Sequence, residues 1–366
     1  MKNLHKHNFG AGPCILPEEV LDNAAEAVKN WRPTGLSILE ISHRSAAFEE
    51  VVKETEKLVR DLLQVPHNYS ILFLQGGASL QFCMVAFNFL HNSGKDAVYL
   101  DAGYFGQKAI KEALFFGPVN VAASSRGAGY THIPKEYSIS ADAAYFHCTS
   151  NNTIEGTEMF RFPETEVPVI CDMSSDIFSR PIDISQFDLI YAGAQKNTGP
   201  AGMTLVIAKN DLLDSVKHPL PSMLDYRVYR DNGSMYNTPP VFAIYAAMLN
   251  LQWLKNKGGL KTISLENRAK AQLLYDEIDL NPLFYGAAER YDRSLMNVTF
   301  RMHDPGREAD FLAFAEQNGM VGIKGYRTVG GFRASLYNAL PYESVRELVN
   351  CMKVYAEKYH RPAILV

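Results

Sequence analysis

The sequence lacks the cysteine and histidine patterns of a cross-linked or metal-binding protein. It has five cysteines, and this odd number without any CxxC pair indicates reduced thiols rather than a disulfide framework. His5 and His7 have the spacing of a metal pair, but we interpret them as part of a solvated tail. The sequence therefore predicts no metal site and favours a cytoplasmic location.

The sequence also lacks the features of membrane and nucleic-acid-binding proteins. No run approaches the roughly 18 consecutive apolar residues of a membrane helix, and the first residues contain no apolar core of a signal peptide. The net charge is −4 and Lys and Arg are scattered, so no basic patch is available for nucleic acid. We therefore predict a soluble protein that binds neither membranes nor nucleic acid.

The chain is long enough for a large buried core, with 366 residues of which 47% are hydrophobic. Between residues 69 and 215, short apolar runs alternate with segments of helical spacing. Such runs are typical of strands covered on both faces, so we predict an α/β fold with a mainly parallel, mixed sheet flanked by helices. Two helical segments, 17–31 and 45–64, precede this block, and a long helix follows it from the prolines of NTPP.

The pattern changes near residue 259. The segments predicted after this point are a helix (260–280), a strand (295–301), a helix (307–318), a glycine-rich turn region (319–334) and a final helix (341–358). We therefore predict two domains. The large α/β domain covers residues 16–258, and a smaller α+β domain covers residues 259–366 with a contribution from the N-terminal segment 1–15.

One lysine stands apart from the other charged residues. Lys196 follows the apolar run FDLIYAGA, and its small neighbours leave room for a ligand beside the ammonium. Asp172 ends another apolar run, VPVICD, 24 residues earlier, and neighbouring parallel strands present their carboxyl ends at one edge of a sheet. Pyridoxal phosphate requires such a pair, because its aldehyde binds a lysine and a carboxylate keeps its ring nitrogen protonated. From position alone, a surface role for Lys196 and a helix-capping role for Asp172 stay open.

The segment LQGGASLQF would supply a site for the phosphate group. Its two glycines separate a strand from a helix, so the first N–H groups of that helix, near Ala78 and Ser79, are free to bind an anion. A tight turn without any ligand has the same sequence pattern. The glycine spacing is not that of a P-loop.

Several segments together resemble the phosphoserine aminotransferases of the class-V aminotransferase family. The matching segments, which extend from about residue 8 to 358, are NFGAGPCILPEEVL, ISHRS, GGASLQF, DAGYF, TSNNTIEGTE, SRPIDISQFDLIYAGAQKNTGPAG, DNGSMYNTPP and VGGFRASLYNAL. The resemblance implies the fold-type I architecture of pyridoxal-phosphate enzymes. It also implies a homodimer with cofactor sites at the subunit boundary.

The resemblance further implies roles for individual residues around the cofactor. It makes Lys196 and Asp172 catalytic, with Lys196 linked to pyridoxal phosphate and Asp172 paired with the ring nitrogen. The other cofactor-binding residues that it implies are Ala78, Ser79 and Gln195 at the phosphate, Asn237 and Thr238 reaching the phosphate from the second subunit, Thr153 near the phenolic side of the ring, and Phe105 stacked on the ring. Phe105 stands where the family usually has tryptophan, so it offers a smaller stacking area.

The implied reaction moves the amino group of L-glutamate to 3-phosphohydroxypyruvate and yields O-phospho-L-serine and 2-oxoglutarate. Each substrate carries an α-carboxylate and a second acidic group, which guanidinium groups bind well. The resemblance assigns Arg333 to the α-carboxylate, His43 and Arg44 to the distal carboxylate and the phosphate, and Arg327 to the phosphate across the dimer. Tyr326 stands where the family often has histidine, and it carries no positive charge.

Three alternatives stay open on the sequence alone. The family often also acts on 4-phosphohydroxy-L-threonine in vitamin B6 biosynthesis. A small-amino-acid transaminase or a cysteine desulfurase would share the fold, although the loop region 319–340 has no cysteine of the kind that a desulfurase needs. A catalytically silent homologue would keep the fold without the activity.

Overall fold

The computed structural model describes residues 6–327 and 329–360. The helices α1 to α10 have the bounds Glu18–Lys29, Ala46–Leu63, Gly77–Phe89, Tyr104–Ala113, Asn210–Asp214, Tyr226–Asp231, Val241–Asn256, Gly259–Leu280, Glu308–Gln317 and Tyr342–His360. The strands β1 to β14 have the bounds His7–Asn8, Tyr69–Leu74, Ala97–Asp101, Val119–Ser124, Phe146–Thr149, Asn151–Asn152, Thr157–Glu158, Val169–Asp172, Leu189–Gly193, Thr204–Lys209, Phe284–Gly286, Asn297–Met302, Met320–Val321 and Phe332–Ser335. None of the helices in this described part of the chain combines the length and the apolar character of a membrane span.

A seven-stranded sheet forms the centre of the N-terminal two thirds of the chain. Its strand order is β2-β10-β9-β8-β5-β3-β4; β10 pairs antiparallel with both β2 and β9, and the other pairs are parallel. The middle strands are buried along their whole length, as all five residues of β9 show. This burial explains the uninterrupted apolar runs of the sequence and confirms the predicted α/β fold with a mainly parallel, mixed sheet.

Two hydrophobic clusters cover the two faces of this sheet. In β9, Ile190 and Ala192 pack into the cluster that contains residues of α2 and α7. Leu189 and Tyr191 pack into the other cluster, which contains residues of α3. Successive side chains of a strand point to opposite faces, so one strand contributes to both clusters. The sheet therefore lies between two layers of helices.

A third hydrophobic cluster gathers the C-terminal part of the chain. It combines Phe9 with buried residues of α8, α9, α10, β12 and β14. Strands β11, β12 and β14 form an antiparallel sheet, and β1 pairs with β13 in parallel. The prediction of a turn region over 319–334 is wrong in part, because β13 and most of β14 lie in it and Phe332 is buried in the cluster.

The division into two domains at residue 259 stays a prediction. Its ranges include residues 1–5, 328 and 361–366, which lie outside the described residues.

Candidate active site

Three adjacent parallel strands end at one edge of the central sheet and carry the polar residues of the candidate site. The register pairs Thr149 on β5 with Asp172 on β8, and Asp172 with Tyr191 on β9. Lys196 lies in the turn that follows β9, where its backbone N–H donates to the carbonyl of Ala194 at 2.7 Å. The strand order thus places the carboxylate and the lysine at the same edge of the sheet.

The Lys196 side chain is held by one hydrogen bond in a desolvated setting. Its Nζ donates to Oγ1 of Thr153 at 2.7 Å and lies 5.7 Å from the centre of the Phe105 ring. Burial lowers the pKa of Lys196 to about 8; Arg333 acts in the same direction, whereas Asp172 opposes it. An amine with this pKa is partly unprotonated near neutral pH, as a nucleophile or base must be.

Asp172 is buried, with 4% of its surface exposed. Its Oδ1 accepts the backbone N–H of Ser174 at 2.9 Å. Burial raises the pKa of Asp172, while the hydrogen bonds from Ser174 and the charge of Lys196 act against this rise. Residues 173–179 form turns and bends rather than an α-helix, so Asp172 does not cap a helix.

Helix α3 begins at the predicted phosphate site. Gly76 and Gly77 have φ angles of +86° and +64°, which favour glycine, and a Cβ on Gly76 would also lie 2.6 Å from the Leu80 side chain. The first N–H groups of an α-helix have no partner within the helix. Because Gly77, Ala78 and Ser79 line the cavity, this helix start is available to an anion.

Most of the predicted site residues line one cavity of about 290 Å³. They are Ala78, Ser79, Phe105, Thr153, Asp172, Gln195, Lys196 and Arg333. The prediction gave no site role to Gly12, Thr149 and Ser174, which also line it, and it noted Tyr326 only as a departure from the family. Gly12 has a φ of +134°, and a Cβ there would lie 3.3 Å from the backbone oxygen of Gln195. The Gly-Pro pair in NFGAGPC was the signal available for this close approach.

Five predicted residues do not line the cavity within one chain: His43, Arg44, Asn237, Thr238 and Arg327. Arg44, Thr238 and Arg327 are exposed, and His43 and Asn237 are half-buried. The carbonyl of Thr238 accepts a hydrogen bond from Nε2 of Gln75 at 2.9 Å, so this segment lies beside the strand end that leads into α3. The predicted roles of the five residues stay predictions.

Two polar groups in the cavity wall lack partners. Arg333, on β14, directs Nη1 to the backbone oxygen of Thr153 at 3.5 Å, while its buried Nε has no hydrogen-bond partner among the described residues. Oγ1 of Thr149 is likewise buried without a partner in the described part of the chain. Buried polar groups are normally hydrogen-bonded, so these two groups indicate a place for a polar ligand.

The chemical groups that line the cavity fit pyridoxal phosphate. The start of α3 suits the phosphate, Asp172 suits a protonated ring nitrogen, and Lys196 suits the aldehyde. Phe105 provides an aromatic ring in the same cavity for stacking. Together these groups match the three chemically distinct parts of that one molecule, so an enzyme that uses this cofactor is the class that the fold and the site define.

Comparison with known proteins identifies the family. Residues 6–348 match the family model described as aminotransferase class-V. A phosphoserine aminotransferase of Bacteroides thetaiotaomicron is 55% identical over 98% of this chain and 100% of its own length. The structure of phosphoserine aminotransferase from Bacillus circulans subsp. alkalophilus has a TM-score of 0.95 and 47% identity, covering 97% of this chain and 99% of that one. A phosphoserine aminotransferase of Trichomonas vaginalis with bound pyridoxal phosphate has a TM-score of 0.91 and 42% identity, covering 95% and 100%.

The chain belongs to the class-V aminotransferase family. It is an aminotransferase that depends on pyridoxal phosphate, and its fold is the fold-type I architecture. The predicted cofactor, the aminotransferase reaction that the resemblance implied and the resemblance to phosphoserine aminotransferases are thereby confirmed, whereas the roles of Lys196 and Asp172 stay predictions.

Proposed function

We propose that this aminotransferase moves the amino group of L-glutamate to 3-phosphohydroxypyruvate and so produces O-phospho-L-serine and 2-oxoglutarate, a step of serine biosynthesis. The observation that carries the proposal is the single cavity that contains Lys196, Asp172, the start of α3 and Arg333. The substrate pair is supported by the relative from Bacteroides thetaiotaomicron, which is 55% identical and is named a phosphoserine aminotransferase.

Each cavity residue has a task in this reaction. When bound, the cofactor supplies an electron-withdrawing ring that stabilises negative charge at the α-carbon of the amino acid. Asp172 keeps the ring nitrogen protonated, and the N–H groups at the start of α3, with the hydroxyl of Ser79 and the side chain of Gln195, hold the phosphate. Nζ of Lys196 accepts the proton of the α-carbon, and Thr153 holds this amine in place at 2.7 Å.

The substrates need more positive charge than the described residues of one cavity supply. Among the described residues, Lys196 and Arg333 are the lysine and arginine side chains that line the cavity. Arg333 suits the α-carboxylate, because a guanidinium forms two parallel hydrogen bonds with a carboxylate. The distal carboxylate of glutamate or the phosphate of the keto acid then has no cationic partner among the described residues that line the cavity.

We propose that a second copy of the chain supplies the missing groups, so that the enzyme is a homodimer with shared sites. His43, Arg44 and Arg327 would bind the second acidic group, and Asn237 and Thr238 would reach the cofactor phosphate from the partner. This arrangement agrees with the position of all five residues outside their own cavity. Dimers with twofold symmetry are also the commonest oligomers.

The test of the reaction is a half-reaction with single amino acids. The holoenzyme is mixed with phosphoserine, glutamate, alanine or cysteine, and the absorbance of the cofactor band at roughly 400–430 nm is recorded over time. We expect phosphoserine and glutamate to bleach the band, and Lys196→Ala to lose both the band and turnover. Bleaching by alanine alone, or sulfide release from cysteine, would instead identify a small-amino-acid transaminase or a desulfurase. No response to any amino acid would identify a silent homologue.

The test of the shared site is subunit complementation. Lys196→Ala and Arg44→Ala are each expected to be inactive, yet mixed refolding should restore about a quarter of the sites, because half of the random dimers contain one intact site. If Arg44 served its own cavity, no site in the mixture would be intact and activity would stay absent.

Two finer expectations belong to the same proposal. The site also suits 4-phosphohydroxy-L-threonine of vitamin B6 biosynthesis, because this amino acid carries the same α-carboxylate, α-amine and phosphate; a further arm of the half-reaction tests it. We also propose a cytoplasmic location. All five cysteines lie in the described part of the chain and are free, as in reducing compartments.

A further inference from the structure

The turn between β6 and β7 forms one wall of the cavity and contains a buried carboxyl group. Thr153 and Ile154 of this turn line the cavity, whereas the side chain of Glu155 does not. Glu155 is 7% exposed, and its backbone oxygen accepts a hydrogen bond from Oγ1 of Thr299 at 2.8 Å. The turn also carries the contacts of Thr153 with Lys196 and Arg333.

Glu155 joins this turn to the start of α4, which carries another residue of the cavity wall. Its Oε1 accepts the backbone N–H of Tyr104, the first residue of α4, at 2.9 Å. Phe105, the next residue, lines the cavity and faces Nζ of Lys196. The residue before the helix is Gly103, which has no side chain to cap the first turn. Glu155 therefore takes over the capping role and fixes the position of Phe105.

The other oxygen of Glu155, Oε2, lies close to a second hydrogen-bond acceptor. A Cβ on Gly103 would lie 2.4 Å from Oδ1 of Asn152 and 3.0 Å from Oε2 of Glu155, so both oxygens crowd the same point. Both are buried, and neither has a hydrogen-bond partner among the described residues. Two unpaired buried acceptors side by side are unfavourable, but a protonated carboxyl group has an O–H that donates. One proton on Oε2 would satisfy both oxygens.

We propose that Glu155 is a positioning residue that acts as a neutral carboxylic acid, with Oε1 accepting from Tyr104 and the proton on Oε2 donated to Oδ1 of Asn152. In this form it fixes the Thr153 turn relative to Phe105, so that two parts of the cavity wall keep their positions. The inference rests on the aminotransferase activity of the family and not on which keto acid is the substrate.

The charges around Glu155 are consistent with this protonation state. Burial raises the pKa of Glu155 to about 7, although hydrogen bonds from the backbone N–H groups of Tyr104 and of Glu155 itself act against this rise; Asp101 on β3 raises the pKa further, and Arg333 on β14 lowers it. Asp101 accepts hydrogen bonds from Oγ of Ser124 at 2.6 Å and from the hydroxyl of Tyr130 at 2.9 Å. A second negative charge on Glu155 would face that of Asp101.

The experiment compares three variants of the full-length holoenzyme. In Glu155→Gln the amide oxygen accepts from Tyr104 and the amide nitrogen donates to Asn152, which mimics the neutral acid. Glu155→Ala removes both bonds, and Glu164→Gln, an exposed position, is the matched control. We measure kcat, KM, the dissociation constant of pyridoxal phosphate, and the infrared carbonyl band of protonated carboxyl groups at pH 6.

We expect E155Q to stay within roughly threefold of the wild type in all constants, and E155A to lose about 10–100-fold in kcat and to bind the cofactor more weakly, because both walls of the cavity shift. The infrared difference between wild type and E155Q should show one protonated carboxyl group, which E164Q keeps. If E155A does not fold, the comparison of E155Q with E164Q still tests whether a neutral side chain replaces Glu155 and whether the carboxyl band belongs to Glu155.

Two outcomes would overturn the inference. If E155Q is as impaired as E155A and no carboxyl band is lost, then Glu155 is an anion that accepts from the amide of Asn152. If E155A binds cofactor and turns over like the wild type, then Glu155 does not position the cavity walls. Neither outcome changes which amino acids bleach the cofactor band, so the proposed substrate pair is tested separately.

Discussion

The buried lysine of helix α8 gives the sharpest prediction for stability. Lys270 is 1% exposed, and its Nζ donates to the backbone oxygens of Leu336, Tyr337 and Leu340 at 3.0, 2.9 and 3.1 Å. Burial lowers the pKa of Lys270 to about 7, yet three acceptors require three N–H donors, which only the ammonium has. We therefore take the charged form as the one that binds the 336–340 segment, which directly follows the strand of Arg333.

Replacing Lys270 with Met keeps most of the volume of the side chain and removes all three donors. The oxygen of Tyr337 still accepts the N–H of Leu340 at 2.9 Å, so two carbonyls lose their partner. Each unpaired buried acceptor costs about 1–3 kcal/mol, and part of this is returned because a buried charge is also removed. We expect a loss of about 2–4 kcal/mol in the free energy of unfolding, which corresponds to a fall in Tm of about 3–5 °C for a chain of this length.

The assay is differential scanning calorimetry at fixed protein concentration and saturating cofactor, because ligand and oligomer both shift Tm. Lys261→Met, an exposed position on the same helix, is the control and should change the free energy of unfolding by less than about 0.5 kcal/mol. The reasoning would be refuted by a Lys270→Met protein as stable as this control, since water or another donor would then satisfy the carbonyls.

Variants of three further residues test the cavity. Asp172→Asn should lower kcat by about 10²–10³-fold or more, because an amide does not hold the ring nitrogen protonated. The same change should raise the Tm of the cofactor-free protein at neutral pH. Burial raises the pKa of Asp172, so the ionised carboxylate destabilises the folded protein once the pH exceeds the ordinary carboxyl pKa, and an uncharged amide removes this cost. Arg333→Lys should raise KM for both substrates by roughly 10–100-fold in steady-state kinetics, because the bidentate fork is lost. Gly12→Ala should weaken cofactor binding in an absorbance titration, since φ is +134° and Gln195 lies 3.3 Å from the new Cβ.

Controls separate these effects from general damage. Arg290→Lys is the same substitution at an exposed position and should leave KM unaltered. Gly35→Ala is the control for Gly12→Ala, because Gly35 also has a positive φ, +72°, but no atom lies within 4 Å of the new Cβ. A nearly normal kcat in Asp172→Asn would mean that another group protonates the ring nitrogen. Equal KM values for the Arg333 and Arg290 variants, or equal cofactor affinity for the two glycine variants, would contradict the other two predictions.

The sequence predicted the features that depend on local pattern. Asp172 and Lys196 end or follow apolar runs, and an apolar run bounded by turn residues predicts a strand wherever the rest of the chain lies. The two glycines at the start of α3 were equally informative, because a positive φ and a free helix start are properties of a short segment. Short segments therefore pointed to the lysine, the carboxylate and the glycine turn as candidates, and the resemblance over most of the chain supplied their predicted roles.

The strand β14 shows where local pattern fails. Phe332 and Ala334 lie next to a glycine-rich segment that predicts turns, but they pair with Phe300 and Val298 of β12 and are buried. Pairing with a strand more than thirty residues earlier in the chain supplied the stabilisation that the local propensity lacked.

The sequence by itself determined the candidate groups for the chemistry, because side-chain identity and short-range spacing are fixed by the chain. Tertiary structure alone decided which of them meet: Arg333 contacts a turn 180 residues away, and Glu155 caps a helix that starts 51 residues before it. Such contacts depend on strand order and on burial between distant segments, whose free energy no local window contains.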